Sequence, residues 1–188
     1  KFIILSAIPL AILIFSFSSQ LTSILFGAAW GQIDLVLGVL ALMHGFSWIV
    51  GMNGEAYRAC GKPHLETWCT CVTLIVYVPT CIYAVKIGFD VFVWNRLALA
   101  LGALFLNLLL LRSVLEIRMI PIMAAVLITL VISFTSVGVV KYFIVVHFEI
   151  GWHQLVIGLG FSGLLIGIQL FVIERNRAAK DVIDLIKG

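Results

Sequence analysis

Long apolar runs, interrupted by single charges and turn-forming residues, set the pattern of this 188-residue chain. Between Lys1 and Asp34 lie 32 residues free of Asp, Glu, Lys and Arg; 20 separate Asp34 from Glu55, and 19 separate Glu66 from Lys86. Then come 15 between Arg96 and Arg112, 22 between Arg118 and Lys141, and 24 between Glu149 and Glu174. A helix of about 20 apolar residues crosses the hydrocarbon core of a bilayer. Five windows meet that length, and the fourth meets it once the uncharged stretch Val91–Asn95 is added. The pattern therefore predicts an all-α, polytopic membrane bundle of six transmembrane helices over about 2–26, 32–60, 65–85, 91–117, 121–145 and 152–173. A cytoplasmic helical tail is expected over 174–188.

Turn signals fall between these runs. Gly27–Gly31, with Trp30, reads as a short outer turn, and Gly61-Lys62-Pro63 as a glycine C-cap followed by a proline that starts the next helix. Pro121 opens the fifth run, and Gly151-Trp152 precede the sixth. Pro9 lies inside the first run, where a kink is expected, and Pro79 lies inside the third.

Composition agrees: 63% of side chains are hydrophobic and 11% charged, against about 45–50% and about 25% in soluble domains. The net charge of +3 is scattered between spans rather than clustered, so it says little about nucleic acid, and no nucleic-acid partner is expected. Lys1, Arg58, Lys62, Arg112, Arg118, Arg175, Arg177, Lys180 and Lys187 fall on one side of the expected bundle; Lys86, Arg96 and Lys141 fall on the other. Nine against three places both ends in the cytoplasm, in a multi-pass protein of the cytoplasmic membrane. Cys60, Cys69, Cys71 and Cys81 are not placed to pair as disulfides.

Polar residues form stripes at helical spacing. His44, Ser47, Gly51, Glu55 and Arg58 lie on one face of the second span if it is one continuous helix. Arg96, Ala100, Ala103 and Asn107 share a face of the fourth, Thr70, Thr73, Tyr77 and Thr80 line up on the third, and Thr129, Ser133 and Ser136 on the fifth. Such stripes turn towards other helices or a wet cavity. His44, Ser47, Glu55, Arg58, Arg96 and Asn107 are the candidate cavity residues. Two readings stay open for His44, a ligand for a phosphate or a donor to a neighbouring carbonyl; Glu55 and Arg58 read equally as an ion pair or as the mouth of a path. Gly160, Gly163 and Gly167 have the spacing of a helix-packing face.

No metal-ligand spacing, phosphate loop or dinucleotide fingerprint occurs, so no metal, cofactor or enzymatic activity is expected. Gly160-Phe161-Ser162-Gly163 matches the GxSG of rhomboid intramembrane proteases, but no histidine follows Ser162 to act as its base.

Two stretches carry a family resemblance. One is the Ile8-Pro9-Leu10 helix ending Leu21-Thr22-Ser23-Ile24-Leu25-Phe26-Gly27; the other is Glu55-Ala56-Tyr57-Arg58-Ala59-Cys60-Gly61-Lys62-Pro63. With their spacing they resemble the C-terminal part of polysaccharide and lipid-linked oligosaccharide flippases of the multidrug/oligosaccharidyl-lipid/polysaccharide exporter superfamily. Arg58, Ala59, Gly61, Lys62 and Pro63 fit that family's helix-ending signature, with Tyr57 where Leu is usual and Lys62 for Arg. Val91 departs from a second glycine common there, which puts the shape of the turn before the fourth span in doubt. The resemblance runs to about Glu116. It implies most of one lobe of an alternating-access transporter that carries lipid-linked sugars for the cell envelope. The implied partners are the bilayer, the lipid-linked sugar, a missing N-terminal half of the same protein, and envelope polysaccharide biosynthesis enzymes. The start at Lys1, without Met, fits such a C-terminal fragment. Two alternatives are a multidrug or cation exporter of the same superfamily and a non-transporting membrane subunit.

Overall fold

The computed structural model describes residues 2–51, 53–115, 119–147, 156–169 and 171, and these are all helix, turn or short connection, without strands. In chain order they form α1 (Phe2–Ser16), α2 (Ser18–Leu25), a 3-10 turn (Ala28–Trp30), α3 (Ile33–Ser47), α4 (Asn53–Ala59), α5 (His64–Ile87), α6 (Phe89–Leu115) and α7 (Met119–His147). The last described helix is α8 (Val156–Gln169). The expected turn at Gly151-Trp152, the tail over 174–188, and several cations of the nine-to-three count lie outside the described residues.

Three helices are long and apolar enough to cross a membrane: α5, α6 over Phe89–Val114, and α7 over Ile122–Phe143. A fourth span results if α1 and α2, which meet at 67°, are taken as one broken span. The apolar helices α3 (Ile33–Ser47) and α8 over its described residues are shorter, and six full-length spans are not shown among the described residues. Counting uncharged residues measures the length of a run and says nothing about whether its helix is continuous. The second run shows this, because it divides into α3 and α4 with a turn over 48–51 between them.

Large apolar side chains cover the outside of this framework. Ile75 is 73% exposed, Tyr83 67% and Ile120 83%. Such a surface would drive association in water, whereas lipid covers it readily provided the backbone hydrogen bonds are closed within helices. The chain is a membrane protein on both counts.

The centre is α1. Ile8, Ala11, Ile12, Leu13 and Phe17 form a buried cluster with Leu42 of α3, Val137 of α7 and Ile166 of α8. Helices in lipid gain little from apolar contact alone, so close backbone approach matters more. Here α3 supplies it. A side chain on Gly45 would run into Ala11 Cβ and the Ala7 carbonyl oxygen, and one on Gly38 would meet Phe15 Cδ2 at 2.9 Å. The glycine face expected on α8 behaves otherwise: a Cβ at Gly160, Gly163 or Gly167 would meet nothing within 4 Å. Among the described residues, the glycines that let backbones approach closely are those of α3.

The break in the first span falls at Phe17, not at Pro9, through which α1 continues. It exposes the Ser16 carbonyl, which accepts a 2.9 Å hydrogen bond from Lys141 Nζ, 125 residues away on α7. Lys141→Met is expected to lower stability by about 1 kcal/mol, a fall of roughly 2–4 °C in melting temperature, read by thermal denaturation in detergent. Elsewhere the turns follow ordinary rules. Gly61 adopts φ 69°, its N–H donates to Arg58 O and Lys62 N–H donates to Tyr57 O, closing α4 with a Schellman motif. Gly27, at φ 83°, makes the turn after α2.

Candidate functional site

A groove of about 410 Å³ runs between α4, α5 and α6. Its α5 wall is one helical face, Glu66, Cys69, Thr70, Thr73 and Tyr77, at the three-and-four spacing that stacks side chains above one another. Asn53 and Tyr57 come from α4, and Asn107 from α6. From Glu66 to Tyr77 is roughly 16 Å of helix rise, so the groove extends from one end of α5 to about its middle.

One end carries three charges. Arg58 Nη1 lies 3.2 Å from Glu55 Oε1, and Nη2 lies 3.1 Å from Glu66 Oε2. The group has a formal charge of −1. All three side chains are well exposed, so each pair contributes little to stability. The second Glu66 oxygen packs against Gly54, where a Cβ would stand only 2.7 Å away, so the Glu66 carboxylate occupies space that a side chain at residue 54 would take.

Deeper in, the groove carries uncharged polar side chains set among apolar ones such as Val50 and Leu74. Thr70 and Thr73 donate their hydroxyl protons to the Glu66 and Cys69 carbonyls, at 2.9 and 2.8 Å. That leaves lone pairs on their oxygens able to accept a bond from a ligand. Tyr57 is buried and donates to the Asn107 carbonyl at 3.3 Å, while Asn107 Nδ2 donates to Ala103 O at 2.9 Å. Asn53 is 7% exposed, and its Nδ2 has no hydrogen-bond partner. The threonine lone pairs suit a hydroxyl-bearing ligand. At the inner end the Arg96 guanidinium lies 5.2 Å from the centre of the Tyr77 ring, a cation–π contact.

The expected cavity residues divide accordingly. Asn107 lines the groove; Glu55 and Arg58 stand at its mouth; Arg96 closes its inner end through Tyr77. His44 and Ser47 lie elsewhere, because the turn after Ser47 breaks the helical register that aligned them with Glu55 and Arg58. His44 lines an apolar hollow of about 370 Å³ against α1, beside Leu10, Ala11 and Trp48, and Ser47 donates to its own helix at Met43 O. A wider cavity, about 630 Å³, opens at the other end of the bundle beside Asp34 and Asp90. Both acids sit in the first turn of a helix, where they offset its dipole.

Glu66 and Asn53 escape sequence reasoning. Glu66 reads as an ordinary span-boundary charge; the clue to Asn53 is Gly51-Met52-Asn53-Gly54, turn residues inside an otherwise helical run. The Thr129, Ser133 and Ser136 stripe of α7 is buried, with Ser136 Oγ 2.8 Å from Gln169 Oε1 of α8, which makes it a helix–helix seam. Ser162 is also buried. Cys60, Cys69, Cys71 and Cys81 are free thiols, and no metal-binding cluster occurs among the described residues. No protein-family model, curated protein or solved structure matches the chain.

Proposed function

We propose that this chain, with six membrane-crossing helices, forms most of one lobe of a larger membrane transporter that moves a lipid-linked oligosaccharide or polysaccharide precursor across the cytoplasmic membrane by alternating access. The observation that carries this reading is the groove. It begins at charged residues at the end of a span, continues past Thr70, Thr73, Asn53 and Asn107, and ends near mid-helix. A sugar head needs such a lining, whereas its lipid tail needs an apolar flank, which the exposed face of α5 offers. The groove mouth faces the cytoplasm in this reading, following the distribution of lysine and arginine. A second lobe and envelope polysaccharide enzymes are the partners it calls for.

Export of an organic cation is the second reading, and the formal charge of −1 on Glu55, Arg58 and Glu66 favours it. One experiment separates the two: sugar-polymer export and dye-cation efflux measured in cells carrying Asn107→Leu or Glu66→Gln at equal protein levels. Flipping of a sugar lipid predicts that Asn107→Leu lowers polymer export while Glu66→Gln spares it. Cation export predicts that Glu66→Gln abolishes dye efflux. Normal export of both cargoes in both variants removes the groove from either path.

A further inference from the structure

We propose that Arg96 and Tyr77 form a binding site for a phosphate-bearing anion at the inner end of the groove. The ion pairs found among the described residues both belong to Arg58, which Glu55 and Glu66 already neutralise. Arg96 has no carboxylate within ion-pair distance among those residues, and its Nε is buried with no hydrogen-bond acceptor. The adjacent Asn95 is engaged elsewhere, its amide 3.8 Å from Cys81 Sγ. A cation without a counter-charge inside a span is costly, and it marks a place where charge is supplied from outside the protein.

The direction of the side chain strengthens the case. Arg96 is seven residues into α6, roughly 10 Å from the start of that helix. Tyr77 stands ten residues before the end of α5, roughly 15 Å from the same end of the hairpin. Arginines near a span end ordinarily extend towards the closer surface. Arg96 instead reaches inwards, to the ring that ends the polar groove. The planar guanidinium carries five N–H donors in a fixed fork. That fork matches two oxygens of a phosphate. Only the identity of the natural ligand, the phosphate of a lipid-linked sugar, rests on the transport reading; the anion site itself does not.

The test uses full-length protein in phosphatidylcholine nanodiscs, with inorganic pyrophosphate as the probe and calorimetric titration as the readout. Wild-type protein is expected to bind pyrophosphate, Arg96→Gln to weaken binding about tenfold or more, and Arg58→Ala to change it less than about twofold. Arg96→Lys keeps the charge without the planar fork; it is expected to fall between wild type and Arg96→Gln, and it serves if Arg96→Gln does not fold. Competition by phosphatidylglycerol in the disc would identify a lipid headgroup as occupant, and its absence a water-borne phosphate; both support the site. Pyrophosphate binding that survives in Arg96→Gln, or is absent from wild type in both lipids, overturns it. Binding through Arg96 in a protein that moves no sugar lipid would discard the transport reading and keep the site. Sugar-lipid movement with pyrophosphate binding indifferent to Arg96 would do the reverse.

Discussion

Gly45→Leu is expected to destabilise the protein by about 3 kcal/mol, the upper end of ordinary overpacking costs, lowering the melting temperature by roughly 6–12 °C. A Cβ at this position already collides with Ala11 Cβ and stands 3.2 Å from the Ala7 carbonyl oxygen. Those are backbone and near-backbone atoms, so no rotamer change relieves the clash and α1 must move away from α3. Because α1 also carries the cluster joining α7 and α8, the displacement spreads through the core. Gly45→Ala should show a smaller effect in the same direction. Gly102→Leu and Gly138→Leu are the controls, since a Cβ at either meets nothing within 4 Å; both should melt close to the wild type. Thermal denaturation in one detergent decides it, and equal melting of the Gly45 and Gly102 variants would refute the packing of α1 on α3.

Thr73→Trp is expected to abolish transport while leaving the fold intact. Thr73 sits midway along the α5 face that forms the groove, and its hydroxyl bonds only to its own helix at Cys69 O. The substitution therefore breaks no bond between helices, and the position is half-buried with open space beside it. An indole placed there fills much of a cavity of about 410 Å³. Ile75→Trp, two residues along on the outward face where Ile75 is 73% exposed, is the matched control and should transport normally. Cargo export at equal protein level reads the difference. Normal export by Thr73→Trp would show that nothing passes through the groove.

Residues with strictly local determinants were legible in the sequence. The windows at 65–85, 91–117 and 121–145 correspond to α5, α6 and α7 within a few residues, because an uninterrupted apolar run has no alternative to helix in lipid. Gly27 and Gly61 end their helices where turn chemistry places them. The breaks in the first two apolar runs were not legible. The first breaks at Phe17, with neither glycine nor proline there, and Lys141 satisfies the freed carbonyl from 125 residues away. A contact of that kind has no local signature, and α1 runs on through Pro9. In the second, the face drawn through His44, Ser47, Gly51, Glu55 and Arg58 presumed an unbroken helix, and the turn over 48–51 parts its two halves. Asn107 and Arg96 were legible as one face of α6, but Glu66, which binds Arg58 from another helix, was not.

The central claim is that the intact protein carries a lipid-linked sugar through this groove. Its most direct test is reconstitution into vesicles loaded on one leaflet with a fluorescent, diphosphate-linked oligosaccharide lipid, with a membrane-impermeant quencher outside. The account predicts that wild-type protein exposes the probe to quencher well ahead of protein-free vesicles, and that Thr73→Trp matches the protein-free rate. Wild-type protein that moves the probe no faster than empty vesicles would contradict it.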